Sequence, residues 1–147
     1  MPKTKPKDIG TKWETDVLHY VRAALDDERP ERRVLHGSKD MGDIAHVYAH
    51  GFEGIIECKR SKALGAATMA EFQRQTLDER ENADADFALL AVKNFNHSTG
   101  EAFCWVTLRD LARIALPLMV NDGWLDAADE TWVCMPLSTA CALMRGV

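Results

Sequence analysis

The run Phe87-Ala-Leu-Leu-Ala-Val92 contains no polar side chain, so if it forms a strand, that strand must be covered on both faces. The segment Gly54–Lys59 reads as an earlier strand, and Ala66–Asn82 between the two reads as a helix. A strand, a crossing helix and a second strand become parallel neighbours in one sheet. This unit commits the chain to an α/β class, a mixed central sheet flanked by helices.

The other elements extend that frame. Trp13, Val17, Tyr20, Val21, Ala24 and Leu25 recur at helical spacing, which predicts a helix from about Gly10 or Thr11 to Asp27, ended by Pro30. Residues 1–9, with two prolines and three lysines, read as a flexible basic arm. Strands are predicted over Arg32–His36 and Asp43–Ala49 before Gly54–Lys59, and over Ala102–Val106 after the apolar run. Thr107-Leu-Arg-Asp110 has the pattern of a helix start, giving a helix to about Val120. Residues 108–147 are expected to be this helix and a mixed tail with Trp124, Trp132, Val133 and Met135, packed on the core of a single domain.

Composition excludes several classes. No apolar run is long enough for a bilayer and the N-terminus lacks the apolar segment of a secretory signal, so the expected location is the cytoplasm. Cys58, Cys104, Cys134 and Cys141 form no CxxC pair, which leaves reduced thiols, three of them expected in the core. The net charge of -5 is uneven: residues 1–62 carry 12 Lys+Arg against 11 Asp+Glu, whereas residues 63–147 carry 6 against 12. Cations therefore gather in the half that holds the chemistry, and Lys12, Arg33, Lys39, Arg60 and Lys62 are the candidate phosphate contacts. Taken singly, each is also an ordinary surface charge.

The most informative stretch is Gly54-Ile-Ile-Glu57-Cys-Lys59-Arg. Strand alternation turns Glu57 and Lys59 to one face, with Ile55, and turns Ile56 and Cys58 to the other. Such a carboxylate and ammonium can also simply pair with each other. Asp43, after Gly42, opens the preceding strand, and antiparallel pairing places it beside Glu57; two such carboxylates repel unless a cation lies between them. Gly42-Asp43 is equally a turn with its usual residues. On a helical wheel Glu14 falls inside the arc drawn by Trp13, Val17, Val21 and Leu25. An inward carboxylate needs a metal or a basic partner, unless Glu14 only complements the helix dipole. On the second helix Gln73 stands midway between Met69 and Leu77 at i,i+4 spacing, which makes it the inward amide, bonding either to backbone or into a site.

Together Gly10-x3-Glu14, Gly42-Asp43, and Ile56-Glu57-Cys58-Lys59 resemble the PD-(D/E)xK nuclease superfamily, and within it the archaeal-type and phage Holliday junction resolvases. The resemblance spans about residues 8–107, with Gly-Asp at the "PD" position, and leaves 108–147 unexplained. It implies a restriction-endonuclease-like core and a Mg²⁺ ion, replaceable by Mn²⁺, held by Asp43, Glu57 and the carbonyl of Cys58. By the same resemblance Glu14 would bind through water or hold a second ion. Lys59 would orient the attacking water and help deprotonate it, Gln73 would steady that water or Lys59, and Ser38 stands where the resolvases have a functional serine. It further implies a homodimer that cuts both strands of branched DNA. Two other readings share these residues: a restriction-like or repair nuclease on duplex or flap DNA, and a non-catalytic DNA-binding module with the same fold.

Overall fold

A computed structural model describes residues 3, 5–34, 39–115 and 129–146. Helix α1 spans Pro6–Leu25, four residues earlier than expected, so 6–9 are not an arm. Pro6 sits in the first turn, where its missing N–H is not needed, and Asp8 in that turn faces the positive helix end. The helix stops before Pro30: Asp26 takes a left-handed φ of 50°, and the N–H groups at this cap reach Ala23 and Arg22 carbonyls.

Strands β1 (Glu31–Arg32), β2 (Ile44–Ala49) and β3 (Phe52–Lys59) follow, then α2 (Ala66–Asn82), β4 (Phe87–Val92), β5 (Phe103–Thr107) and α3 (Leu108–Ala115). The first strand is shorter than expected, and Leu35–Ser38 lie outside the described residues. The chain closes with β6 (Trp132–Pro136) and α4 (Leu137–Arg145), elements the mixed tail did not announce. Residues 116–128, with Trp124 and the expected end of α3, lie outside the described residues. The six strands lie in sequence order in one sheet. β3 and β4 are parallel, Gly54 opposite Phe87 through Lys59 opposite Val92, and every other neighbouring pair is antiparallel. The expected mixed α/β sheet is therefore present, with helices on both sides.

One face carries the larger core. Trp13, Val17, Leu18 and Val21 of α1 and Leu137, Ala140, Cys141 and Met144 of α4 pack with Ile56, Cys58, Leu89, Ala91 and Cys104. The opposite face is smaller: Met69 and Phe72 of α2 meet Leu90, Val92 and Trp105. Cys58, Cys104 and Cys141 are buried thiols and Cys134 is exposed, so three do lie inside. No described helix is long and apolar enough to cross a membrane.

β2 has a bulge between Ile44 and Val47, where His46 takes a φ of 60° and bonds Glu53 at 2.8 Å. Before the bulge Ile44 faces Ile56; beyond it Val47 faces Gly54. The extra residue shifts the pairing by one, which exchanges the faces of everything on its near side. Asp43 therefore stands opposite Glu57 and on its face, rather than opposite Cys58.

Candidate functional site

The turn before β2 is built by local polar contacts. Asp40 Oδ1 accepts the Gly42 N–H at 3.0 Å, Arg33 donates to the Met41 carbonyl at 2.6 Å, and the Arg33 N–H reaches the Asp43 carbonyl at 2.8 Å. Gly42 has φ +90°, and a Cβ there would come within 3.0 Å of Ile55 Cδ1, so only glycine lets the chain pass this close to β3. Asp43 Oδ2 then accepts the Cys58 N–H at 2.8 Å, which locks its carboxylate against β3. Cys58 itself turns its thiol to the α1 side, so its backbone is the part that faces the site.

Beside Asp43 lies Glu57, only 3% exposed, with Lys59 Nζ 3.5 Å from its Oε1. The ammonium also lies 5.2 Å from the centre of the Phe72 ring, which holds it from the α2 side. The site contains a further carboxylate that periodicity did not single out: Glu79 of α2, 4% exposed. Asp40, Glu57 and Glu79 each offer an oxygen within 4.8 Å of the others, the one group of three with metal-ligand spacing among the described residues. Asn82 at the end of α2 donates to the Asp40 carbonyl at 2.9 Å and ties the turn to the helix.

This concentration of acid shifts the protonation of each member. Burial, then the Glu57 charge, push Asp43 up to about 8. Burial, then the hydrogen bond and charge of Glu79, push Glu57 up to about 9, with Asp43 and Lys59 pulling the other way. Burial first, with Asp40 and Asp43 adding to it, raises Glu79 to about 7, against the Glu57 hydrogen bond and Lys59. One oxygen of Glu57 and one of Glu79, both Oε2, are buried with no hydrogen-bond partner. A buried carboxylate oxygen without a donor is costly, and a hard cation taking oxygen ligands is the group this donor set fits.

The other expected residues divide. Glu14 is half-buried and its partner is the basic Arg32, at 2.8 Å, so a guanidinium answers its inward position. It still shares a cleft with Asp43, and its charge adds to the upward push on that residue. Gln73 is half-buried with no side-chain hydrogen bond to any described residue, and on α2 it lies on the other side of Met69 from Glu79. Ser38 lies outside the described residues. Lys12 pairs with Asp16 on its own helix at 2.8 Å, and Arg33 is used inside the turn. Lys39 is exposed beside Asp40 and Asp43, while Arg60 and Lys62 come together over the Phe95 ring.

Sequence reasoning missed Glu79 because α2 is only weakly amphipathic, so Met69 and Leu77 drew the inner arc on the wrong side. Around the helix axis Phe72, Thr76 and Glu79 lie on the opposite side of Met69 from Gln73 and Leu77, and it is this side that meets the sheet. The i, i+3, i+7 spacing of Met69, Phe72 and Thr76, continued to Glu79 at i+10, is the signal that marks it. Comparison with protein-family models, with curated proteins and with solved structures gives no match for this chain.

Proposed function

We propose that this chain is a metal-dependent DNA endonuclease with a restriction-endonuclease-like core, acting on branched DNA as a junction resolvase does. The observation that carries the reading is the convergence of Asp43, Glu57 and Glu79 with Lys59, two of the acids holding buried, partner-free oxygens. A brace alone would oppose these acids with arginine. Here one ammonium stands among at least three carboxyls, and the deficit of positive charge matches a divalent cation.

Asp40, Glu57 and Glu79 would hold Mg²⁺ or Mn²⁺, with Asp43 beside Glu57. When bound, the ion would supply Lewis-acid stabilisation of a phosphodiester and a lowered pKa for a water. Lys59, steadied by Glu57 and Phe72, orients that water and the phosphate oxygens. Binding of the cation requires Asp43 and Glu57 to give up the protons that burial favours, so activity should rise with pH through the neutral range. Glu14, on the far side of Asp43, tunes the site through charge and holds Arg32 at its rim. A homodimer would supply two such centres for symmetric cutting of two strands.

The test is cleavage of a synthetic four-way junction, a matching linear duplex and a flap, each with Mg²⁺ and with EDTA, by wild type and Asp43→Asn. Symmetric, metal-dependent junction cutting that Asp43→Asn abolishes supports the resolvase. Preference for flap or duplex assigns a repair or restriction-like nuclease instead, and DNA binding without cutting of any substrate assigns a non-catalytic module.

A further inference from the structure

The ends of β3 and β4 carry a second charged feature, outside the carboxylate cluster and of opposite sign. Arg60 Cζ lies 4.8 Å, Lys62 Nζ 5.0 Å and Lys93 Nζ 5.7 Å from the centre of one ring, Phe95. Lys93 also approaches the Trp13 ring at 5.5 Å. None of the three cations is ion-paired with a carboxylate among the described residues. In a chain of net charge -5, three neighbouring cations without an acid are not the average surface. Converging like charges repel, and the ring faces offset only part of that repulsion.

The placement links this feature to the site. Lys59 is opposite Val92 in the parallel pair, and the Lys93 N–H continues the ladder to the Lys59 carbonyl at 2.9 Å. Arg60 and Lys93 are thus the next residues of the two strands beyond Lys59. Arg60 and Lys62 are exposed and Phe95 is half-buried, so the charged groups gathered over the ring remain open to solvent.

We propose that Arg60, Lys62 and Lys93, arrayed on Phe95, form a phosphate clamp that grips one DNA strand next to the position where its backbone is cut. The choice of a nucleic-acid strand as the occupant rests on the nuclease reading. The clamp supplies point charges to successive phosphates and carries no base reading, so it sets affinity and strand path rather than sequence preference. Phe95 is a positioning residue: it restricts three flexible cations to one patch.

The experiment is binding of a labelled four-way junction in EDTA, where no cutting occurs, across a salt series. It uses wild type, the single alanine variants of Arg60, Lys62 and Lys93, the triple variant, and Phe95→Leu, with melting temperatures as the control for folding. Each single loss should lower the slope of log affinity against log salt by about one, and the triple variant by about two to three. Phe95→Leu keeps the charges and should weaken binding several-fold with the slope unchanged. An unchanged slope in a folded triple variant, or a wild type that binds no DNA, overturns the clamp. Cleavage by the same wild type in Mg²⁺ reports separately on the nuclease reading. Binding that loses its slope in the triple variant without any cutting sustains the clamp and removes the nuclease.

Discussion

Two adjacent residues of α2 lead into opposite kinds of buried charge. Arg80 donates to Asp110 at 2.9 Å and bidentately to Asp129 at 3.0 and 2.6 Å, while Arg109 and Thr107 also reach Asp129. Asp110 Oδ2 also accepts the Ala88 N–H at the start of β4, and the Asp110 N–H is capped by Thr107 Oγ1 at 3.2 Å. Here each acid meets a guanidinium, although Asp110 Oδ1 and Arg109 Nε stay without a partner, and the network ties α2, β4 and α3 together. Glu79, one residue earlier, enters a group in which acids meet acids and only Lys59 answers them. Buried charge that is internally paired supports the fold, and buried charge left unpaired is a demand for a proton or a cation.

The largest expected break of this comparison is Arg80→Met, which strands Asp110 without a guanidinium and leaves Asp129 to Arg109 and Thr107 alone. It should destabilise the fold by about 3–5 kcal/mol in chemical denaturation, the usual range for half of a buried pair. Glu57→Gln, by contrast, replaces a carboxyl that burial already keeps protonated up to about pH 9, and should leave the metal-free protein about equally stable. Equal losses in the two variants would end the distinction between brace and site.

Next in size is catalysis. Glu79→Gln should slow metal-dependent cleavage about a hundredfold or more, the scale of a lost electrostatic contact to the reaction centre. Gln73→Ala should change rate and stability only slightly, within about 0.5 kcal/mol for the latter. A large loss in Gln73→Ala with none in Glu79→Gln would restore the amide that helical spacing favoured and remove the carboxylate.

The comparison also predicts a pH linkage. Folded and metal-free, Asp43, Glu57 and Glu79 keep protons up to about 8, 9 and 7, whereas unfolded carboxyls ionise near 4. The folded state binds more protons in that window, so their stabilising contribution is complete below about pH 4 and falls as pH rises through the folded values. Metal-free melting temperature should decline from about pH 5 to 9, less steeply in Glu57→Gln. Added Mg²⁺ should raise it by a margin that grows with pH, about 2.7 kcal/mol at a hundredfold excess over the dissociation constant. A Mg²⁺ effect independent of pH would mean that the ion binds elsewhere.

What the sequence determined by itself lies within single elements. The apolar run of β4, the bounds of α2 and the shared face of Glu57 and Lys59 follow from periods of 2 and 3.6 residues, which are set by neighbours along the chain. Thr107 capping Asp110 is equally local. Tertiary structure decided what depends on relations between elements. The bulge at His46 chooses the face of Asp43, Arg32 of β1 claims Glu14, and the rotation of α2 about its axis brings in Glu79 and leaves Gln73 aside. β6 and α4 belong to the same class: a half-exposed edge strand alternates too weakly to be read, and a nine-residue helix is held by the core it joins. Register and helix rotation are fixed by contacts between residues far apart in the chain, so no local period carries them.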